Sequence, residues 1–476
     1  MEAWVKNIVE QARKKYGSVE VKKINNNLYL YKATSTRVPG KKYPVKVTGE
    51  YIGKITPHGL IEAKTRERTV HEYANAKLLS STLEEITPQL RECFPEDWRE
   101  LAALATVRTI RNTPIKYTKD AWEKLYTSTQ IKARLSRSTI SEILRSTGAD
   151  WAAQSRFYQS LIMDSSTFYY DLSSIFSHSV NLRLAEKGYN KEHLYLDQIN
   201  FALLFSQERR TPVMLKPMPG STRDVKTLRG VIDEFQLRDC VIILDRGFYS
   251  WNNIEAMLTI GASFIQPLRR NSKLIDYGLK PDKPFTYRGR GILYTSRMIE
   301  FGDESLWLHL YEDVQLRGEE HSNLIKLTVD KSVDKLNVDG EGCLEIDESR
   351  LGKISILTDL GWGGERIYGL YKEKEDVELA FDAMKNELEN DKCYLGDDDA
   401  VRGYFFVSFL SLYLYFRVLE YIRLAGLTSK VSVDELLFLL SKVYVVVYGD
   451  GRERFTEVPA RVKKLVDKMG LENVLP

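Results

Sequence analysis

The chain has 476 residues, of which 43% are hydrophobic and 28% are charged, with a net charge of +3. This profile is typical of a folded protein with several domains and excludes a disordered or fibrous chain. The four cysteines are far apart and form no CxxC pair, so neither a disulfide framework nor a zinc site is expected. The first residues lack the apolar segment of a signal peptide, and a reducing cytoplasm is the expected location.

The first 60 residues are unusually basic. They hold 12 Lys and Arg against 4 Glu, a local charge of +8, so the rest of the chain carries −5. After a short helix near residues 2–15, β-type runs dominate up to residue 60. We therefore predict a basic, β-rich, DNA-binding region over residues 1–60, with a solvated basic surface as the alternative. Residues 61–154 are predicted to be helical, either as a DNA-binding or linking region or as ordinary packed helices.

The middle of the chain alternates short apolar runs with helical segments. Over residues 155–274 this alternation predicts an α/β sheet. Residues 275–358 are predicted to form a β-rich block, and the run 324–329 is predicted to be one of its strands. Helix is expected again from about residue 363 and in the C-terminal region 426–476. The 13 uncharged residues 404–416 are too few to cross a bilayer, which needs about 20, so they predict a buried core helix and no membrane partner.

Four residues share a helical spacing. Tyr371, Lys374, Glu378 and Lys385 are offset by 3, 7 and 14 positions, which places their side chains within a sector of about 60° on one helix. Such an edge offers a carboxylate for a metal ion beside groups that bind phosphate. The alternative is a solvated helix face.

Two aspartates accompany predicted strands. Asp245 ends the apolar run 241–244, and a carboxylate in that position points into the crevice where α/β sheets bind ligands. Asp164 lies just before another candidate strand, the run 168–170, and the nearby Asp171 is an alternative to it. Asp164, Asp245 and Glu378 together would form an oxygen-rich site for Mg²⁺ or Mn²⁺.

Two such ions can support phosphodiester displacement by water or a 3′-hydroxyl. Lys374 and Lys385 would then neutralise flanking phosphates, and Tyr371 would donate a hydrogen bond to one. Arg246, next to a predicted metal ligand, either contacts DNA or pairs with a core carboxylate.

These motifs resemble those of the DDE transposases of bacterial and archaeal insertion sequences. Tyr371, Lys374, Glu378 and Lys385 match the Tyr-Arg-Glu-Lys signature of one superfamily with unchanged spacing, and lysine replaces the usual arginine at position 374. The residues that follow Asp245 resemble the second-aspartate motif, and 163–167 resemble the first. The resemblance covers about residues 155–425.

The resemblance implies a ribonuclease H-like core, residues 155–274 and 359–425, interrupted by a β-rich insertion domain at 275–358. It also implies metal-dependent cleavage of double-stranded DNA at terminal inverted repeats, strand transfer into target DNA, and a dimer in the DNA complex. Two alternatives stay open: a ribonuclease H-like nuclease without strand transfer, and a domesticated DNA-binding protein.

Overall fold

The computed structural model describes most of the chain. Its residues are 3–476 except 26, 38–42, 63–66, 112, 178, 180, 189–196, 223, 336–347, 390–394, 396 and 449–450. Side chains are also left undescribed at 3, 46, 62, 67–68, 115, 224–226, 327–335 and 385–389.

Helices and strands are numbered here in chain order within these described residues. The helices are α1 (Ala3–Tyr16), α2 (Ala74–Glu84), α3 (Thr87–Cys93), α4 (Trp98–Ile110), α5 (Thr118–Glu123), α6 (Thr127–Gln130), α7 (Arg137–Ala149), α8 (Trp151–Ile162), α9 (Asp224–Phe235), α10 (Trp251–Ile260), α11 (Val314–Lys335), α12 (Gly364–Lys372), α13 (Glu375–Glu389), α14 (Asp398–Leu424), α15 (Val433–Leu440) and α16 (Ala460–Met469). The strands are β1 (Val19–Ile24), β2 (Asn27–Thr36), β3 (Val45–Thr56), β4 (Gly59–Glu62), β5 (Glu67–Glu72), β6 (Thr167–Phe176), β7 (Glu186–Lys187), β8 (Asp197–Ser206), β9 (Thr211–Pro219), β10 (Val241–Ile243), β11 (Ser263–Pro267), β12 (Lys283–Tyr287), β13 (Arg290–Phe301), β14 (Glu304–Asp313), β15 (Lys353–Thr358), β16 (Tyr444–Tyr448) and β17 (Glu453–Phe455).

The chain divides into two compact units. The first combines Met1–Ala74, Lys124–Tyr126 and Leu439–Pro476, and the second combines Asn75–Glu123 with Thr127–Phe438. The first unit therefore groups the basic N-terminal segment with the C-terminal one.

The first unit contains an antiparallel sheet in the order β1-β2-β3-β4 with α1 on one face. Val5, Val9 and Ala12 recur at helical spacing along α1 and are buried. They pack with alternate residues of the strands, including Val19 and Leu30. The helix and strands predicted for residues 1–60 are thus present.

The first unit also contains a second sheet, which differs from the prediction. β16 pairs with both β17 and β5, and Tyr444 lies opposite Glu72. We predicted a helical region over 426–476, but the β-branched run 445–447 forms a strand there. α15 and α16 are the helical parts of that region.

The second unit is built around a ten-stranded mixed sheet. Its order is β12-β13-β14-β15-β11-β10-β6-β8-β7, and β9 also pairs with β8. β10 runs parallel to both β6 and β11, whereas β8 is antiparallel to β6 and β9. The predicted α/β architecture is confirmed.

The region predicted as a β-rich insertion, 275–358, continues this sheet instead of forming one of its own. β14 pairs with β15, and β15 pairs with β11 of the core. The strand expected at 324–329 is wrong, because these residues lie within α11. A side-chain oxygen of Asp313 accepts a hydrogen bond from the Leu316 amide at 2.9 Å, which caps that helix at its start.

Helix α14 passes through the interior of the second unit. Asp397 caps it by accepting a hydrogen bond from the Ala400 amide at 2.8 Å. It is the one helix among the described residues that is long and apolar enough to be compared with a membrane span, yet 78% of its most apolar window is buried inside the protein. The prediction of a buried core helix at 404–416 is therefore confirmed.

Candidate active site

Asp245 follows the short buried strand β10 and is held from two sides. Its backbone is extended, with φ −90° and ψ 164°, and its carbonyl oxygen accepts a hydrogen bond from Nε2 of Gln266 at 3.0 Å. Its carboxylate oxygen Oδ1 accepts a hydrogen bond from Nζ of Lys374 at 2.9 Å. The sheet thus presents this carboxylate at the carboxyl end of a parallel strand, as the sequence predicted.

Asp171 occupies the matching position on the neighbouring strand. Ile243 of β10 lies opposite Tyr169 of β6, and the two strands are parallel. Asp245 and Asp171 each lie two residues further along, so they are level with each other just past the end of β10, while β6 continues to Phe176. Both also line one small crevice.

Asp164 lies elsewhere, which corrects the predicted site. It lies in the turn before β6, and the strand from Thr167 to Asp171 alone spans about 13 Å. Its side chain is 69% exposed and pairs with the guanidinium of Arg209 at 3.0 Å. The prediction followed a motif resemblance, whereas the position of the residue along its strand points to Asp171.

A break between α12 and α13 forms the opposite wall of the crevice. The crevice is lined by Tyr169, Tyr170, Asp171, Ile243, Leu244, Asp245, Lys374 and Val377. The hydroxyl of Tyr169 donates a hydrogen bond to the Leu370 carbonyl at 3.0 Å, which ties the end of α12 to β6.

The predicted single helix edge is therefore interrupted. Glu373 and Lys374 form a turn, and a new helix begins at Glu375. Acidic residues fill the first turn of α13, where they interact favourably with the helix dipole. The turn directs Lys374 toward the sheet.

Lys374 joins two of the predicted carboxylates. Its Nζ is 2.9 Å from the carboxylate of Asp245 and 4.0 Å from that of Glu378, whose side chain is 65% exposed. Burial alone would raise the pKa of Asp245, but the Lys374 ammonium and its hydrogen bond outweigh burial and hold that pKa below its ordinary value. Burial alone would lower the pKa of Lys374, but Asp245, assisted by Asp171, holds it above the ordinary lysine value. The cluster is thus charged, and the lysine neutralises part of it.

The other predicted DNA-binding residues differ in how much of each side chain is exposed. Tyr371 ends α12 and is only 6% exposed, so little of its side chain faces solvent. Arg246 is half-buried, and its backbone N–H donates a hydrogen bond to the Asp245 carboxylate. Lys385 lies on α13, but its side chain is outside the described part of the structure.

The residues of the crevice fit a hard divalent cation in their donor chemistry. The carboxylates of Asp245 and Glu378 both face the ammonium of Lys374, and Asp171 is a third acidic residue nearby. Carboxylate oxygens are the ligands that hard divalent cations prefer. As arranged here, no three acidic, His or Cys side chains among the described residues are placed to hold a metal ion together.

A family model for the transposase DDE domain matches residues 155–414, more than half of the chain. The protein belongs to this family. The matched residues include Asp171, Asp245 and Glu378. No curated protein matches the chain.

Among solved structures, a piggyBac transposase in a synaptic complex with hairpin DNA is similar over 79% of this chain and 76% of its own, at 12% identity and a TM-score of 0.38. A TM-score this low does not establish a common fold.

Proposed function

We propose that this DDE transposase cleaves DNA at the ends of an insertion sequence and transfers the new ends into target DNA, with Asp171, Asp245 and Glu378 as its catalytic carboxylates. The observation that carries this proposal is a pair of aspartates on two parallel neighbouring strands. Asp245 lies just past the end of β10, Asp171 lies level with it within β6, and both line one crevice with Lys374. Asp171 takes the role that the sequence assigned to Asp164.

The order of the core strands supports a ribonuclease H-like core. β9-β8-β6-β10-β11 forms the centre of the sheet, with β8 antiparallel to both of its long neighbours. The site lies at the carboxyl end of β10, beside the parallel strand β6, and open α/β sheets bind ligands at such strand ends. We propose that β12 to β14 and α11 are the insertion of this core.

The carboxylates suit one or two Mg²⁺ or Mn²⁺ ions, which Asp171 would hold from within β6, Asp245 from the end of β10 and Glu378 from α13. Bound ions of this kind supply Lewis-acid activation of the attacking oxygen and stabilise the leaving oxygen. In hydrolysis, water attacks the phosphorus and the bond to the 3′ oxygen breaks, which leaves a 3′-hydroxyl and a 5′-phosphate. That hydroxyl would then attack a phosphodiester of the target, so that the element's 3′ oxygen becomes bonded to the target phosphorus while the target's own 3′ oxygen leaves as a hydroxyl.

The cations around the crevice are proposed to hold the DNA. Arg246 and Lys385 would contact phosphates, with Lys374 able to do so once it leaves the carboxylates. The phosphate contact predicted for Tyr371 is not part of this proposal, because its side chain is only 6% exposed. The proposed partners are the terminal inverted repeats and the target duplex, with a dimer joining two ends. A cytoplasmic location fits the free thiols of Cys93 and Cys240.

The direct test is Asp245→Asn, assayed with labelled element ends, Mg²⁺ and a target plasmid. We expect cleavage to fall by at least about 100-fold, because a metal-binding charge is lost while the side chain keeps its size. Unchanged Mg²⁺-dependent cleavage would show that the site is misassigned. In the wild-type protein, joined products in the plasmid distinguish a transposase from a nuclease that only cuts.

A further inference from the structure

The sheet β1-β2-β3-β4 has a second face, opposite α1, that bears a regular set of side chains. Residues opposite each other in antiparallel strands point to the same side. The pairing aligns two rows on this face, Lys22–Tyr29–Lys54–Ile61 and Glu20–Tyr31–Tyr51. We call Lys22, Tyr29, Tyr31, Tyr51 and Lys54 the tyrosine–lysine face.

The three tyrosines of this face form one cluster. The ring of Tyr51 lies 6.0 Å from that of Tyr29 and 5.3 Å from that of Tyr31, with tilted planes. Tyr51 is 39% exposed, and the other two are partly exposed. Burial and then the proximity of Tyr29 and Tyr31 raise the pKa of Tyr51, so its hydroxyl stays protonated and can donate a hydrogen bond.

The charges of the face favour an anionic partner. The ammonium of Lys22 lies 5.5 Å from the Tyr31 ring, and Lys54 stands beside Tyr29 in the same row. Glu20 is the acidic member of the two rows, and its carboxylate accepts a hydrogen bond from Thr48 at 3.2 Å. The surrounding 60 residues carry a net charge of +8. An apolar helix would leave these ammonium groups unpaired, whereas a polyanion would neutralise them.

We propose that the tyrosine–lysine face binds the phosphate backbone of duplex DNA, an inference that rests on the proposed function for its choice of partner. The hydroxyls donate to phosphate oxygens, and Lys22 and Lys54 neutralise separate phosphates. These lysines lie two strands apart, about 10 Å across the sheet, which separates their contacts. Such contacts position the protein on DNA without reading its sequence.

The lysines are tested by the salt dependence of binding. The full-length chain is titrated into a labelled duplex of arbitrary sequence in EDTA, at several salt concentrations. For the double variant Lys22→Gln/Lys54→Gln, we expect the slope of log affinity against log salt to become shallower by about 1.8, since each lost phosphate contact accounts for about 0.9. The matched control is Lys6→Gln/Lys14→Gln, which removes the same charge from exposed positions of α1 and should leave the slope nearly unchanged.

The tyrosines are tested by removing their hydroxyls while keeping their rings. Tyr29→Phe/Tyr31→Phe/Tyr51→Phe should weaken duplex binding by at least roughly tenfold, because the hydrogen bonds from three hydroxyls to phosphate oxygens are lost. Wild-type affinity and salt slope in both the lysine and the tyrosine variants would overturn the proposal and leave the face to a different partner, such as a protein. Equal effects in the α1 control would overturn it as well.

This result is separable from the catalytic assignment. Duplex binding in EDTA requires no cleavage, so the face variants are scored without reference to catalytic activity. Failure of the face variants to weaken binding would leave the catalytic site standing, and loss of the catalytic proposal would leave the binding result interpretable.

Discussion

Among single residues, Lys374 has the most revealing contacts. Where the family resemblance predicted a phosphate-binding side chain, the structure turns it toward Asp245 and Glu378. The carboxylates of Asp245 and Glu378 repel each other, and the Lys374 ammonium reduces this repulsion. A bound metal ion would have the same effect. In the proposed function, Lys374 would hold the carboxylates together in the absence of metal and would move aside for an ion.

Replacing Lys374 by methionine should expose this repulsion. In the absence of metal, we expect Lys374→Met to lower the free energy of unfolding by about 1–3 kcal/mol. This range lies between the cost of losing an exposed ion pair and the cost of breaking a fully buried one. Added Mg²⁺ should raise the melting temperature of the variant more than that of the wild type, because the ion replaces the missing cation. Thermal unfolding in EDTA and in Mg²⁺ measures both effects.

Lys374→Arg is the matched control, since it keeps the charge and restores the residue usual in the signature. It should resemble the wild type in EDTA. If Mg²⁺ stabilised Lys374→Met no more than the wild type, Lys374 would not share a site with the ion.

The sequence pointed to Asp245 and Glu378 because each sits in a local pattern. Asp245 ends an apolar run, and Glu378 has a helical relation to Lys374. Asp171 ends a similar run, 168–170, and that shared position was the signal that distinguishes it from Asp164. The turn at Lys374 was not predictable, because a periodic pattern continues across a two-residue break.

At the scale of elements, the crossing of α7 and α14 depends on two glycines. A Cβ on Gly403 would lie 1.9 Å from the carbonyl oxygen of Leu144, and a Cβ on Gly148 would lie 1.7 Å from that of Asp399. The backbones of the two helices are therefore in direct contact, and larger residues would force them apart.

Gly403→Ala should lower the free energy of unfolding by about 1–3 kcal/mol, the usual cost of overpacking, as measured by urea denaturation. Gly230→Ala, on α9, is the control because a Cβ there meets no atom within 4 Å. It should be neutral or stabilising by up to about 1 kcal/mol through helix propensity. A stability for Gly403→Ala equal to that of the control would refute this contact.

The sequence predicted elements best where a long pattern had one interpretation. The uncharged run 404–416 indicated a buried helix, and α14 is that helix. The run 324–329 was ambiguous, because six residues rich in apolar side chains suit a strand as well as a turn and a half of helix. The capping by Asp313 and the length of α11 determine the outcome there.

At the scale of the molecule, the α/β class was predictable but the strand partners were not. Alternation and apolar runs are local, so they identify strands without naming their neighbours. The pairing of β5 with β16 joins segments near opposite ends of the chain, and β15 joins the strands of the region 275–358 to the core sheet. Both depend on contacts that no local pattern records.

The most direct measurement of the central claim compares Asp171→Asn with Asp164→Asn. Both substitutions remove one negative charge and keep the side chain nearly the same size. We expect Mg²⁺-dependent cleavage of labelled element ends to fall by at least about 100-fold in Asp171→Asn, because this carboxylate faces the crevice. Asp164→Asn should cleave within about threefold of the wild type, since its exposed ion pair contributes little. Full activity in Asp171→Asn, with loss in Asp164→Asn, would contradict the site described here.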